Sequence, residues 1–219
     1  MNNFVENIKL LLQSPLALLA LAILFIITVA FIIFKRVKLT PKLISIVGVV
    51  VALTFVLNLI VLFKMPQGGS VTLGSMVPII ILALIYGPEV GFLAGFIFGL
   101  INLLVSPYIV HPIQVLFDYP LPFMMLGLAG FFRIKSSNYY IGAMYRLLGV
   151  TFAVLGRFVF HWLSGVIFFG QYAPEGTSPY WYSFIYNGSY LFPEYLICLV
   201  LIIFIPFRQL VRTSNRIDI

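Results

Sequence analysis

Charged residues are scarce in this chain, and their scarcity excludes most soluble folds. Only 9% of the 219 residues are Asp, Glu, Lys or Arg, whereas 62% are hydrophobic and the mean hydropathy is +1.13. A soluble domain of this length cannot hide so much apolar surface. The composition therefore predicts a protein that crosses the lipid bilayer several times.

Cysteine and histidine are also rare, with one Cys and two His. No disulfide can form within the chain, and no metal-ligand spacing exists, so we interpret Cys198 as a small core residue. The sequence also lacks a phosphate-binding glycine loop and a nucleophile–base pair at recognisable spacing. We therefore predict no catalytic residue, no metal, no cofactor and no ATPase domain. ATP-driven transport would require an ATPase on another chain.

Seven apolar segments approach the roughly 20 residues that span a bilayer. They run approximately over residues 15–34, 43–63, 72–86, 90–106, 113–132, 143–170 and 183–206. Tight connections such as Tyr86-Gly87-Pro88-Glu89 separate them, because Gly and Pro end helices. The pattern predicts one helical bundle without a soluble domain.

The basic residues predict the orientation of this bundle. The net charge of +7 comes mostly from short connections and the C-terminus, so we interpret it as a topology signal and predict no nucleic-acid partner. The first segment resembles a retained helix, because no small-x-small cleavage site follows it. With seven spans, the N-terminus is expected outside and the C-terminus in the cytoplasm. Ten basic residues then fall on the inner side of the membrane: Lys35, Arg36, Lys38, Lys42, Arg133, Lys135, Arg146, Arg208, Arg212 and Arg216. The charged residues expected on the outer side are Lys9, Lys64 and Glu175. Two outer loops, residues 65–72 and 170–181, are positioned to cap a pocket.

Asp118 lies in the apolar stretch 110–132 and is the leading candidate for a functional site. A carboxylate at membrane depth persists mostly where it faces a partner, a cavity or a ligand. Gln114 and Tyr119 accompany it, and a carboxylate among aromatic rings suits an organic cation. The alternative is a purely structural ion pair with a basic residue of another helix.

Arg157 and His161 lie four residues apart in the sixth segment and so share one helix face, which continues through Gly165 to Phe169. The face is typical of a pocket wall, although Gly165 suits helix packing equally well, and Arg157 is a possible counter-ion for Asp118 or Glu194.

In the last segment, Asn187 offers both donors and an acceptor, and Glu194 follows two turns deeper on the same face. Gly48 and Ala52 in the second segment have the small-xxx-small spacing that lets another helix dock closely.

Several sequence blocks, in order, resemble the thiamine-binding S components (ThiT type) of energy-coupling-factor (ECF) vitamin transporters. They are residues 66–76 (PQGGSVTLGSM), 116–121 (LFDYPL), 127–130 (GLAG), 157–161 (RFVFH) and 187–190 (NGSY). The resemblance covers about residues 42–206. It implies a six-helix bundle with both termini inside, here preceded by one extra transmembrane helix. The expected division is 1–38 for the extra helix and basic connection, 39–207 for the thiamine-binding domain and 208–219 for a basic tail.

The resemblance also implies roles for single residues. It implies thiamine-binding positions at Tyr108, Asp118, Tyr119, Arg157, His161, Gly165, Phe169, Tyr182 and Asn187, to which we add Glu194 as a candidate from the polar pattern. Gly48 and Ala52 match the positions that dock the transmembrane coupling subunit, which works with two ATPase subunits. Some members carry Glu in place of Asp118, Lys in place of Arg157 and Trp in place of Phe169, and a loop Trp is absent near Gly69.

The expected function is high-affinity thiamine capture in a bacterial cell membrane for ATP-driven uptake, not catalysis. Three alternatives remain open at this point. The first is an S component for another vitamin or a thiamine precursor. The second is a stand-alone carrier that uses Glu194 or Asp118 as a proton site, although such carriers commonly have paired repeats. The third is an intramembrane enzyme that uses His161 with a carboxylate.

Overall fold

The computed structural model describes residues 15–34, 37–133 and 139–215 of the chain. Lys9, Lys35, Arg36, Lys135 and Arg216, which contribute to the predicted orientation, lie outside these ranges. Helices dominate the described residues, and each of the seven predicted apolar segments contains helix. The elements are α1 (Pro15–Phe34), α2 (Pro41–Asn58), β1 (Val61–Lys64), β2 (Ser70–Thr72), α3 (Val77–Tyr86), α4 (Pro88–Val105), α5 (Gln114–Asp118), α6 (Pro120–Met124), a 3-10 helix (Met125–Phe132), α7 (Tyr139–Phe168), a 3-10 turn (Gly170–Tyr172), α8 (Pro179–Phe204) and α9 (Phe207–Asn215).

Five stretches among these residues are long and apolar enough to cross a membrane, and two shorter apolar helices, Leu18–Thr28 and Val77–Tyr86, accompany them. Large apolar side chains along α1, α2, α7 and α8 point outward, as lipid-facing residues do. The protein is therefore an all-α multi-pass membrane protein, as its composition predicts.

A β-hairpin, which the sequence analysis missed, replaces the end of the second predicted span. Helix α2 ends at Asn58, and β1 then pairs antiparallel with β2. Gly68 and Gly69 make the turn with φ of +91° and +86°, a region that favours glycine. Residues 59–63 are as apolar as a helix interior, and periodicity cannot distinguish such a short strand from helix. The helix of the third predicted segment is shorter than the segment, because Thr72 ends β2 and α3 begins only at Val77.

The fifth span is broken rather than continuous. Helix α5 ends at Asp118, Tyr119 leaves the helical region with φ −118° and ψ −81°, and α6 begins at Pro120. Proline lacks an N–H and disfavours helical backbone in the residue before it, so Pro120 separates the two helices. Such a break is tolerated inside a membrane where it is buried in protein or lines a cavity.

Glycine holds this broken span against α4. Gly91, Gly95 and Gly99 recur every four residues along α4, and a Cβ atom at any of them would overlap the backbone of residues 119–127. The two backbones therefore approach as closely as in other small-xxx-small pairs. On its other side α5 contacts α1, where Leu21 packs against a cluster of Leu103, Val115 and Tyr119.

The core divides the bundle into two ends. Apolar side chains from α2, α3, α4, α7 and α8 fill one end, and Cys198 is fully buried among them, as predicted. The hairpin, residues 106–113 and residues 169–178 lie at the opposite end, where the polar side chains of α5, α7 and α8 converge. The fold thus positions a polar site at the hairpin end.

Candidate functional site

A cavity of about 600 Å³ opens at the hairpin end of the bundle. Its wall combines the ends of α2 and α4, the hairpin, residues 105–108, α5, and facing turns of α7 and α8. Nine of the ten ligand-binding candidates line it: Tyr108, Asp118, Tyr119, Arg157, His161, Gly165, Phe169, Tyr182 and Asn187. The tenth, Glu194, lies behind this wall. Candidates from four separate parts of the chain therefore surround one space.

Asp118 is the carboxylate of this cavity. It ends α5 at the proline break, and its side chain is 20% exposed. One oxygen, Oδ2, accepts a hydrogen bond from Gln114, and the other, Oδ1, lies 3.6 Å from Nδ1 of His161. Because Nε2 of His161 accepts a hydrogen bond from Nε of Arg157 at 3.3 Å, Nδ1 is the nitrogen that carries the proton. Asp118 therefore faces a neutral imidazole and retains a net negative charge toward the cavity.

Arg157 pairs with Glu194, not with Asp118. Its Nη1 lies 3.5 Å from Oε2 of Glu194, and its guanidinium lies over the Phe123 ring at 4.5 Å from the centroid. The hydroxyls of Thr72 and Ser75 donate to Oε1 of Glu194. Glu194 is thus buried in the core, where Oε1 is hydrogen-bonded and Oε2 has only the ion-pair contact with Arg157 among the described residues. It lies outside the cavity lining, so the structure does not bring it together with the other ligand-binding candidates.

Aromatic rings form the wall beside the loop of residues 106–113. The rings of Tyr108 and Phe169 stack with centroids 5.9 Å apart and an interplanar angle of 28°, and Tyr172 stacks on Phe169 at 6.2 Å. The hydrogen bond with Tyr172 raises the pKa of the Tyr108 hydroxyl, so this group stays neutral at physiological pH. The wall offers stacked neutral rings to a flat or cationic ligand.

Asn187 is less available to a ligand than the sequence indicates. Its amide nitrogen donates to the carbonyls of His161 and Ser183 and to the Ser183 hydroxyl, and its oxygen accepts from the Tyr190 hydroxyl at 2.8 Å. One acceptor lone pair remains. Asn187 therefore joins α7 to α8 in this state and has little hydrogen-bonding capacity left.

Gly165 serves the same junction. A Cβ atom there would overlap the Ser183 hydroxyl and crowd Asn187, so the packing role is needed, although Gly165 also lines the cavity. The two interpretations of this glycine that the sequence left open are both compatible with its position.

Tyr186 and Tyr190, which lie under the hairpin turn, are cavity residues that the sequence analysis did not select, although it expected residues 65–72 to cap a pocket. The Tyr186 hydroxyl accepts from the Gln67 N–H at 2.8 Å and donates to the Gly68 carbonyl at 3.0 Å. Gly69 approaches the Tyr190 ring so closely that a Cβ atom would overlap it. Tyr182, Tyr186 and Tyr190 are spaced by four residues on α8, and this spacing was the available signal for a shared face.

Gly48 and Ala52 lie away from this cavity. Both are exposed on α2, and they line an apolar groove of about 490 Å³ between α2 and α4. Their side of the helix is therefore open to lipid or to another helix.

Comparisons with known proteins identify one matching family, similar sequences and a similar solved structure. The family model described as thiamine transporter protein (Thia_YuaJ) matches residues 44–213, which leaves α1 outside the match. The thiamine transporter ThiT of Bacillus subtilis is 31% identical over 167 residues, covering 71% of this chain and 85% of that relative. ThiT of Lacticaseibacillus paracasei is 29% identical over 125 residues, covering 52% of this chain and 62% of that relative. A solved structure of ThiT from Listeria monocytogenes has the same fold, with a TM-score of 0.67 at 23% identity, covering 80% of this chain and 96% of that one.

Proposed function

The chain belongs to the thiamine transporter protein (Thia_YuaJ) family, and from that membership we propose that it captures thiamine as the S component of an ATP-driven ECF transporter. Thiamine is bound from outside the cell and released inward. The partners are a transmembrane coupling subunit and two ATPase subunits. The N-terminus lies outside, and the C-terminus lies in the cytoplasm.

One observation carries the choice of ligand. The cavity contains a partly exposed carboxylate, Asp118, whose nearest basic neighbour His161 is neutral in this arrangement. The nearby guanidinium of Arg157 is already paired with Glu194. Thiamine carries a fixed positive charge on its thiazolium ring and hydrogen-bonding groups on its aminopyrimidine, so it complements this charge. An anionic ligand would be repelled by the Asp118 carboxylate, and it would compete with Glu194 for the Arg157 guanidinium.

The size and lining of the cavity support a small flat ligand. Its volume of about 600 Å³ falls in the range of roughly 300–1,000 Å³ that is usual for small-molecule sites. The stacked pair of Tyr108 and Phe169 offers ring faces to either half of thiamine. Each such contact with a cation is worth about 0.5–2 kcal/mol when water is excluded.

The proposed contacts divide into two groups. Asp118, Tyr119, His161, Phe169, Tyr182 and Tyr108 contact thiamine directly. Arg157, Gly165 and Asn187 line the cavity, but most of their contacts join α6, α7 and α8, and Glu194 supports Arg157 from behind. This division revises the direct ligand role expected for Glu194, because its carboxylate is occupied by Arg157, Thr72 and Ser75.

Energy coupling is assigned to other chains, and the exposed face of Gly48 and Ala52 on α2 is the proposed docking side. Movement of the coupling subunit would reorient the bundle, while the hairpin and residues 169–178 act as the outer cover. A chain without a recognisable nucleotide-binding motif needs such partners to use ATP.

Titration of the purified protein with thiamine by isothermal calorimetry tests the proposal. We expect binding well below 1 µM, with weaker competition from the free pyrimidine and thiazole halves. No heat at micromolar thiamine, or tighter binding of one half alone, would overturn the ligand assignment. Uptake into proteoliposomes separates the mechanisms: it should require the coupling and ATPase subunits, whereas uptake by the chain alone would favour an ion-coupled carrier.

A further inference from the structure

Gln114 is a fully buried amide beside the cavity, one turn before Asp118 on α5. Its side chain has no exposed surface, and nothing in the proposed function uses it directly. An amide buried at membrane depth is costly unless its donors and acceptor are all engaged. The hydrogen bonds of the Gln114 side chain therefore indicate its role in the cavity wall.

Both ends of this amide are engaged. The nitrogen donates to the backbone carbonyl of Tyr108 at 2.9 Å and to Oδ2 of Asp118, while the oxygen accepts from the N–H of Val110 at 3.2 Å. A flipped amide would point its oxygen at the Asp118 carboxylate and its nitrogen at an N–H donor. Only one orientation satisfies all three neighbours.

This orientation fixes the Asp118 carboxylate. Because Oδ2 is bound by Gln114, Oδ1 is the oxygen that remains beside His161 and the cavity. Without the amide, the carboxylate would rotate freely about its last torsion, since terminal sp³–sp² torsions are broad.

The same amide also positions the loop that carries Tyr108. Gln114 binds two backbone groups of this loop, and the Tyr119 hydroxyl accepts from the Tyr108 N–H and donates to the Ser106 carbonyl at 3.1 Å. Tyr108 in turn stacks on Phe169. One buried side chain therefore connects the carboxylate to the aromatic wall.

We propose that Gln114 is a positioning residue that holds the Asp118 carboxylate and the Tyr108 ring in one arrangement before the ligand arrives. The proposal rests on thiamine binding as the proposed function. Preorganisation of this kind raises affinity because the free protein has already lost the freedom that binding would otherwise remove.

A double-mutant cycle tests this role, with thiamine affinity measured by calorimetry for Gln114→Met, Asp118→Ala and the combined variant. Met keeps the length of the side chain and removes the amide. We expect Gln114→Met to weaken binding about tenfold in the natural background, because it removes a hydrogen bond to a charged group, and less than threefold when Asp118 is already Ala. No loss in either background would overturn the proposal, and an equal loss in both would overturn the role of Gln114 in holding the Asp118 carboxylate.

Two further variants keep the test decisive. Thr151→Val removes a half-buried hydroxyl that bonds Tyr195 and the Leu147 carbonyl outside the cavity lining, and it should leave affinity unchanged. If Gln114→Met does not fold, the cycle is repeated with Gln114→Glu, which keeps the shape but sets a carboxylate against Asp118, so binding should weaken more than about tenfold. Absence of binding by the natural protein would instead count against the proposed function.

Discussion

Two contacts between α7 and other helices lie on adjacent turns of α7, and each joins a basic residue type to an acidic one. The distances between the charged atoms are similar, but the exposure to solvent and the surroundings of the two contacts differ. Arg157 contacts Glu194 with both side chains nearly excluded from solvent, at 8% and 1% exposure. His161 contacts Asp118 at 11% and 20% exposure, at the wall of the cavity. The first contact is a charged pair in the core, and the second leaves a carboxylate facing open space.

The difference comes from the elements that supply the carboxylates. Glu194 lies in the middle of α8, where Thr72 and Ser75 satisfy its remaining oxygen. Asp118 ends a five-residue helix next to Pro120, where the backbone turns away and leaves space. Arg157 and His161 are only four residues apart on α7, yet one contacts a buried structural carboxylate and the other a carboxylate that faces the cavity. The neighbouring elements cause this difference, because they decide whether water or a ligand can reach each carboxylate.

Breaking the core pair should have the largest effect. Glu194→Leu leaves the Arg157 guanidinium buried without its counter-ion, and loss of one partner of a buried pair costs about 3–5 kcal/mol. We expect a large drop in unfolding temperature in detergent, with a smaller change in thiamine affinity for the folded fraction.

The combined variant Glu194→Leu with Arg157→Met is the control for this prediction. It removes both charges and should recover most of the lost stability, since well-packed apolar replacements of buried pairs are often neutral. A double variant as unstable as Glu194→Leu would show that the Thr72 and Ser75 contacts, not the pair, support the hairpin end.

Breaking the cavity contact should affect binding instead of folding. Asp118→Asn keeps the shape but removes the charge, and a hydrogen bond to a charged group contributes about 1.5–3 kcal/mol, so we expect thiamine affinity to fall roughly 10- to 150-fold. Unfolding temperature should change little, because Asp118 is partly exposed. Glu89→Gln, the same change at the start of α4 and outside the cavity lining, should leave affinity unchanged. An equal loss of thiamine affinity in Asp118→Asn and Glu89→Gln would show that the loss does not depend on a carboxylate in the cavity.

Changing the core cation while keeping its charge should have the smallest effect. Arg157→Lys retains the attraction to Glu194 but loses the Nε–H hydrogen bond to His161 and the flat contact over Phe123. We expect about 1 kcal/mol of lost stability and an affinity within threefold of the natural protein. A loss of affinity as large as that of Asp118→Asn would place Arg157 among the direct thiamine contacts.

Much of the fold was predictable because lipid imposes a simple rule on the sequence. The seven apolar segments coincide with helices α1 to α8, whereas α9 lies beyond them. The α7 face of Arg157, His161 and Gly165 follows from the helical repeat alone, and Phe169 continues it just after the helix ends. The proline before which the fifth span breaks, Pro120, and the spacing of Gly91, Gly95 and Gly99 on α4 are also visible in the sequence. The hairpin was not predictable from periodicity, since its apolar residues continue the pattern of α2.

Other features of the site depend on distances that no local pattern contains. The sequence predicts that the Asn187 amide is free to bind a ligand, but in the structure this amide is hydrogen-bonded to Tyr190, Ser183 and the His161 carbonyl. Gln114 precedes Asp118 by four residues, which the sequence shows, but its hydrogen bonds with the loop of residues 106–113 form only when α5 and that loop are folded together.

The sequence by itself determined that this is a helical membrane protein with an expensive carboxylate at Asp118 and a polar face on α7. These properties are local, because hydrophobic runs and the helical repeat act over neighbouring residues. Tertiary structure alone decided which acid each basic group meets. Asp118 and Glu194 come from distant elements, and only the packing of α5, α7 and α8 places one at the cavity and encloses the other in the core. Charge pairing depends on distance and exclusion of water, and both are properties of the assembled bundle.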